Sequence, residues 1–162
     1  MSQKRDVVLR TLAEQNIPYQ LWEHPAVYTI EEMDALDLPA PEAVVKNLFL
    51  RDAKGRRYFL VVLSKEKQAD LRALGERLGV KLSFASPERL AACMGLEKGS
   101  VTPFGVLNDQ ERKVEVLLDQ DLRTRPLVAV HPNENTATVA LAPEDLLQVL
   151  EDHGNSVTWL EL

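Results

Sequence analysis

The stretch Ala43-Val44-Val45-Lys46-Asn47-Leu48-Phe49-Leu50-Arg51-Asp52-Ala53-Lys54-Gly55-Arg56-Arg57-Tyr58-Phe59-Leu60-Val61-Val62-Leu63-Ser64 holds two apolar runs separated by a polar break. Residues 44–51 and 58–64 have the length and the Val, Leu and Phe content of buried strands. Asp52-Ala53-Lys54-Gly55-Arg56 has turn composition, so the two runs predict a β-hairpin. One residue is out of place in it: Lys46 sits inside an apolar strand, where an ammonium is costly unless it reaches water, a partner or a ligand. Two readings are open. Lys46 snorkels from an edge strand, or it lines a cleft and holds a phosphate or ribose or orients a carbonyl.

Working outward, the N-terminal side predicts a helix over 2–16 with Ser2 as cap and Val7, Val8, Leu12 and Ala13 on one face. A short strand over 17–23 and a short helix over 29–36 follow, the latter begun by a capping-box pattern, Thr29-Ile30-Glu31-Glu32. On the C-terminal side a helix over 69–78 closes at Gly79. A strand over 80–84 leads to a helix opened by Ser86 and Pro87 and closed by Gly95. Residues 95–105 read as a loop. Strands are expected at 113–119, 127–131 and 136–141, a helix at 143–153 ended by Gly154, and a last strand at 157–160. Runs of strands without intervening helices imply a mixed, largely antiparallel sheet with helices packed around it, an α/β (α+β) class.

The chain has 162 residues, enough for one core, so residues 1–162 are read as a single domain. The composition is globular, with 45% hydrophobic and 27% charged residues. No apolar window approaches the length of a membrane span, and no secretory signal is expected in 1–10. Cys93 is the single cysteine, which excludes an internal disulfide and suits a reducing, cytoplasmic setting. It lies in an apolar helical stretch and reads as a small buried hydrophobe.

The net charge of −6 is the wrong sign for a nucleic-acid binder, but it is unevenly spread. Residues 46–81 hold ten basic side chains and four acids, so the segment is +6 and the remainder −12. It reads either as a solvated strip or as one basic face offered to a polyanion.

Other residues could carry chemistry. Gly99-Ser100-Val101-Thr102-Pro103-Phe104-Gly105 supplies glycines that let backbone N–H groups approach a carbonyl or anion. His24 and His131 each end a strand before a proline, where polar groups line clefts. His153, next to Gly154, reads as a helix-dipole cap. The zinc spacings, the Walker loop and the G-x-S-x-G elbow are absent.

Five segments together resemble one family: 24–29 (His-Pro-Ala-Val-Tyr-Thr), 45–52 (Val-Lys-Asn-Leu-Phe-Leu-Arg-Asp), 82–86 (Leu-Ser-Phe-Ala-Ser), 99–105 and 131–137 (His-Pro-Asn-Glu-Asn-Thr-Ala). In order and over nearly the whole chain, they resemble the YbaK-type aminoacyl-tRNA editing superfamily, which includes the insertion domain of bacterial prolyl-tRNA synthetase. Within it the resemblance is greatest to the free-standing prolyl-tRNA editing proteins, ProXp-ala (PrdX). The cysteine-specific relatives are less similar around 131–133. The resemblance implies the YbaK-like fold, a central mixed, mostly antiparallel sheet surrounded by helices. It also implies hydrolysis of alanine wrongly esterified to proline tRNA. The family's lysine falls on Lys46, its loop glycine on Gly99 and its histidine on His131, which are therefore the expected catalytic residues. Asn47, Ser100, Thr102, His24 and Tyr28 are expected to contact the substrate, with N–H groups near Gly99 and Ser100 holding an oxyanion. No metal and no organic cofactor is expected. The expected partner is mischarged tRNA, through the acceptor end of proline tRNA, with transient contact to prolyl-tRNA synthetase or an elongation factor. A monomer without membrane association is expected. The competing readings are a deacylase for serine or cysteine, a non-catalytic tRNA- or synthetase-binding module, and a small-molecule ester or thioester hydrolase.

Overall fold

The computed structural model describes residues 3–162, with side chains from residue 4. The proposed Ser2 cap lies outside the described residues. The hairpin is present: β2 (Val45–Asp52) and β3 (Tyr58–Ser64) pair antiparallel, with Lys46 opposite Leu63 and Leu50 opposite Phe59. Every residue of β3 is buried. Its alternation feeds two cores. Tyr58, Leu60 and Val62 join one apolar cluster, and Phe59, Val61 and Leu63 join another. A strand covered on both faces has no polar side to show, which is why this stretch reads as a continuous apolar run.

Around β3 the order is β4-β2-β3-β5-β8, with β4 at Leu82–Phe84, β5 at Val114–Asp119 and β8 at Val157–Leu160. β4 and β2 run antiparallel, as do β2 and β3, whereas β3, β5 and β8 are parallel to one another. A second, antiparallel sheet has the order β1-β7-β6, from Gln20–Glu23, Ala137–Leu141 and Val128–Val130. The mixed α/β class expected from sequence holds, with the strands divided between two sheets joined by one parallel bridge, Val44 to Ala129.

Helices cover the larger sheet. α1 (Gln3–Glu14), α4 (Pro87–Met94) and α5 (Pro143–His153) contribute Val8, Leu12, Leu90, Met94, Val149 and Leu150 to the first core. α3 (Leu71–Leu78) brings Leu74 to the other. Each such side chain contributes roughly 1.5–3 kcal/mol on burial. Asp70 and Ser86 cap α3 and α4 by accepting from the Ala73 and Arg89 N–H groups. Gly79 ends α3 in the left-handed conformation, at a φ of 74°, which glycine adopts without steric cost.

The buried face of α1 differs from expectation. Val7 and Ala13 are exposed, and Arg5 is buried beside Val8 and Leu12. Positions 5, 8 and 12 share one helical stripe, whereas Val7 lies about 100° from Val8. Arg5 belongs there because its guanidinium reaches Glu134 at 2.9 Å and Glu23 at 3.1 Å. These bonds tie α1 to β1 and to the loop after β6. A third, small core of Trp22, Val27, Met33, Val44, Ala129 and Ala140 lies between the second sheet and α2 (Ile30–Asp34).

Candidate functional site

Where the two sheets part, β2 has an open edge. β4 pairs only with Leu50, Arg51 and Asp52, and the bridge to the second sheet is made at Val44. Between these points, residues 45–48 border a cavity of about 210 Å³, closed on its far side by β6, by the segment 27–33 and by the turn at 98–101. Lys46, Asn47, Gly99, His131 and Tyr28, which are distant in sequence, all line it.

Lys46 is half-buried, and its ammonium has no hydrogen bond or ion pair among the described residues. Its ammonium is therefore available to a ligand, and the cleft reading fits this geometry better than an edge-strand snorkel. The Asn47 side-chain oxygen is buried with no hydrogen-bond partner. The Phe49 carbonyl accepts from the Ala85 N–H. Alternate residues of a strand point their backbone to the same side, so the Asn47 amide faces the open edge.

The turn Lys98–Ser100 forms the opposite wall. Gly99 is required there by close approach: a Cβ would lie 2.5 Å from Tyr28 Cδ1 and 3.2 Å from the Asn135 side chain. The Ser100 N–H already donates to the Glu97 carbonyl at 2.9 Å, so it is not free to hold an oxyanion as the sequence reading expects. The Gly99 N–H makes no intramolecular bond among the described residues. Thr102 is fully buried, and its hydroxyl donates to the His131 carbonyl at 2.6 Å. Neither Ser100 nor Thr102 lines the cavity. Thr102 acts from behind, holding the histidine strand end against the loop.

His131 lines the cavity with Nδ1 2.9 Å from the Ala137 carbonyl. A carbonyl only accepts, so Nδ1 carries the proton and neutral His131 presents the Nε2 lone pair. Burial pushes its pKa below 6.5, the nearby His24 lowers it further, and the Ala137 bond opposes both. His24 does not line the cavity. It bonds the Pro25 carbonyl at 2.9 Å and the Thr138 hydroxyl at 2.8 Å, and its ring lies 6.1 Å from that of His131.

Three features of the site escape a sequence reading. Lys98 lines the cavity but lies outside the basic segment. Within that segment Arg57, Lys65, Lys67 and Arg72 are ion-paired to acids, which favours the solvated-strip reading for them. The apolar wall comes from Val27, Met33, Val44 and Ala129, which as isolated apolar residues give no signal of a shared pocket. Among the described residues no helix is long and apolar enough to cross a membrane.

The model of the aminoacyl-tRNA editing domain matches residues 24–149, a span that contains every residue of this cavity. The chain belongs to the aminoacyl-tRNA editing domain family. It is 50% identical over 159 residues to the prolyl-tRNA editing protein ProX of Acetoanaerobium sticklandii, covering 98% of this chain and 97% of that one. It is 38% identical to the prolyl-tRNA synthetase associated domain-containing protein 1 of Danio rerio, covering 85% and 76%. A crystal structure of a candidate trans-editing enzyme for prolyl-tRNA synthetase superposes with a TM-score of 0.75 at 25% identity, covering 100% and 99%.

Proposed function

We propose that this editing-domain protein is a trans-acting deacylase that hydrolyses the ester of alanine mischarged on proline tRNA. The observation that carries the reading is the convergence of an unpaired Lys46 ammonium, the turn glycine Gly99 and His131, with its Nδ1 held by the Ala137 carbonyl, on one small, partly apolar cavity. The 50% identity to a prolyl-tRNA editing protein supports proline tRNA as the carrier. An aminoacyl ester is already activated, so no protein nucleophile is needed. Water attacks the carbonyl carbon, assisted by the free ribose hydroxyl of the substrate. The Gly99 N–H and the Lys46 ammonium stabilise the negative charge that develops on the carbonyl oxygen. His131 Nε2 accepts a hydrogen bond from the water or from the α-ammonium. The C–O bond to the ribose then breaks, leaving free alanine and uncharged tRNA.

Selectivity follows from the apolar wall of Val27, Met33, Val44 and Ala129. Each added methylene that meets such a wall costs about 1–3 kcal/mol, roughly 10- to 200-fold. Proline is therefore excluded by size, while serine and cysteine are discriminated less. Proline tRNA charged in turn with alanine, serine, cysteine and proline tests this. Alanine is expected to be released fastest. Faster release of serine or cysteine moves the assignment to that amino acid, and prolyl-tRNA cleaved faster than alanyl-tRNA overturns it. Absence of all hydrolysis with tRNA still bound selects the non-catalytic module.

A pH profile reports on His131. Its pKa in the fold is lowered, so the neutral form persists below pH 6.5. The acid limb of kcat/KM is expected to have its midpoint below that value. Stability follows the same sign: the unfolded chain takes up this proton first, so stability falls as pH drops from 6.5 towards the folded pKa.

A further inference from the structure

Tyr28 is the most exposed large hydrophobic side chain among the described residues, at 69%, and it lines the cavity. An exposed ring is commonplace, but the backbone that carries this one is anchored on both sides. The Tyr28 N–H donates to the Glu32 carboxylate, and Thr29 caps α2 by accepting from the Glu32 N–H. On the other side, Asn135 clamps Val27 with its side-chain amide at 2.7 Å and its carbonyl at 3.3 Å. One edge of the ring packs on Gly99, leaving the rest open. Lys98 stands beside it, exposed and without an ion pair among the described residues.

The cavity volume decides what this ring meets. The cavity holds about 210 Å³. That is smaller than the pockets that enclose a whole drug-sized ligand. A volume of that size suits the aminoacyl ester rather than the ester together with its nucleoside. The terminal base of the tRNA is then placed at the mouth, where the exposed Tyr28 ring, on an anchored backbone, and the Lys98 side chain both border the opening. We propose that Tyr28 is the stacking platform for the 3′-terminal adenine, with Lys98 facing the phosphate on its 5′ side. This inference rests on the editing reading and adds a substrate-positioning residue to it. Stacking on an aromatic face is tolerant of the base, so any purine would be held and an absent base would not.

The test compares two esters, 2′(3′)-O-alanyl-adenosine and alanyl-ribose, with wild type, Tyr28→Ala and Tyr28→Phe. Loss of one base–aromatic stack is expected to change KM by about 5- to 150-fold. Wild type and Tyr28→Phe should prefer alanyl-adenosine by a factor in that range, and Tyr28→Ala should lose the preference. The ratio of the two esters is insensitive to a loosened Gly99 turn, because both esters use that turn. An unchanged preference in Tyr28→Ala overturns the proposal. If wild type cleaves neither ester, the charged-tRNA panel decides the editing reading, and an NMR titration with adenosine monophosphate decides the stacking. Upfield shifts of adenine H2 and H8 with wild type but not with Tyr28→Ala support it, and equal or absent shifts for both sink it.

Discussion

Lys46→Ala is expected to lower kcat/KM for deacylation of alanyl-tRNA by about 100- to 1,000-fold, the typical cost of removing one preorganised group that stabilises developing charge. The fold should not suffer. The Lys46 ammonium has no hydrogen bond or ion pair among the described residues, so its removal strands no buried partner. Its main-chain pairing with Leu63 survives truncation. The unfolding midpoint should stay within about 4 °C, the shift produced by roughly 1 kcal/mol in a domain of this size. The kinetic split is informative. A fall in kcat at constant KM places the ammonium on the transition state, whereas a rise in KM alone makes Lys46 a uniform binder. Lys46→Arg keeps the charge but replaces a compact point charge with a broad fork, so it should recover binding better than turnover. Turnover by Lys46→Ala within about threefold of wild type would displace Lys46 from the centre of the site.

Gly99→Ala is expected to be the next most damaging single change, lowering kcat by about 100-fold through misplacement of the turn by roughly 1 Å or less. The added Cβ falls 2.5 Å from Tyr28 Cδ1, too close to stand, so the ring or the turn must move. The backbone at Gly99 is not in the left-handed region, so the substitution brings collision without conformational strain. A double mutant separates the causes. If the collision is the origin, Gly99→Ala in a Tyr28→Ala background should recover most of the lost kcat, although KM stays raised. No recovery would show that the glycine is needed for some other approach.

Much of this architecture was legible from local signals. The hairpin follows from two apolar runs and a turn between them. The capped starts of α3 and α4 at Asp70 and Ser86 and their ends at Gly79 and Gly95 lie at or within two residues of the positions the sequence indicates. α1 is the instructive exception. Its periodicity admits more than one stripe, and the choice was made by Glu23 and Glu134, which draw Arg5 inward. Neither acid is near Arg5 in sequence. The expected central mixed sheet is present, and β1, β6 and β7 pair among themselves as a second sheet that meets β2 through one bridge at Val44.

The same division runs through the site. Residue type alone marked Lys46 as anomalous, since charge inside an apolar run needs a reason, and the sequence also supplied the glycine-bearing turn and the histidine at a strand end. What it left open was the alternative between surface lysine and cleft lysine. Only the tertiary structure chose, because the outcome depends on β4 ending its pairing at Leu50 and leaving the edge beyond it uncovered. Only the structure could show that the Ser100 N–H and the Thr102 hydroxyl already have partners in Glu97 and His131, while the Lys46 ammonium and the Gly99 N–H have none among the described residues. Secondary structure is set by neighbours a few residues apart and is written in the order of the chain. Whether a polar group is free to act depends on which distant partner reaches it first, and that is fixed when the two sheets fold around a common edge.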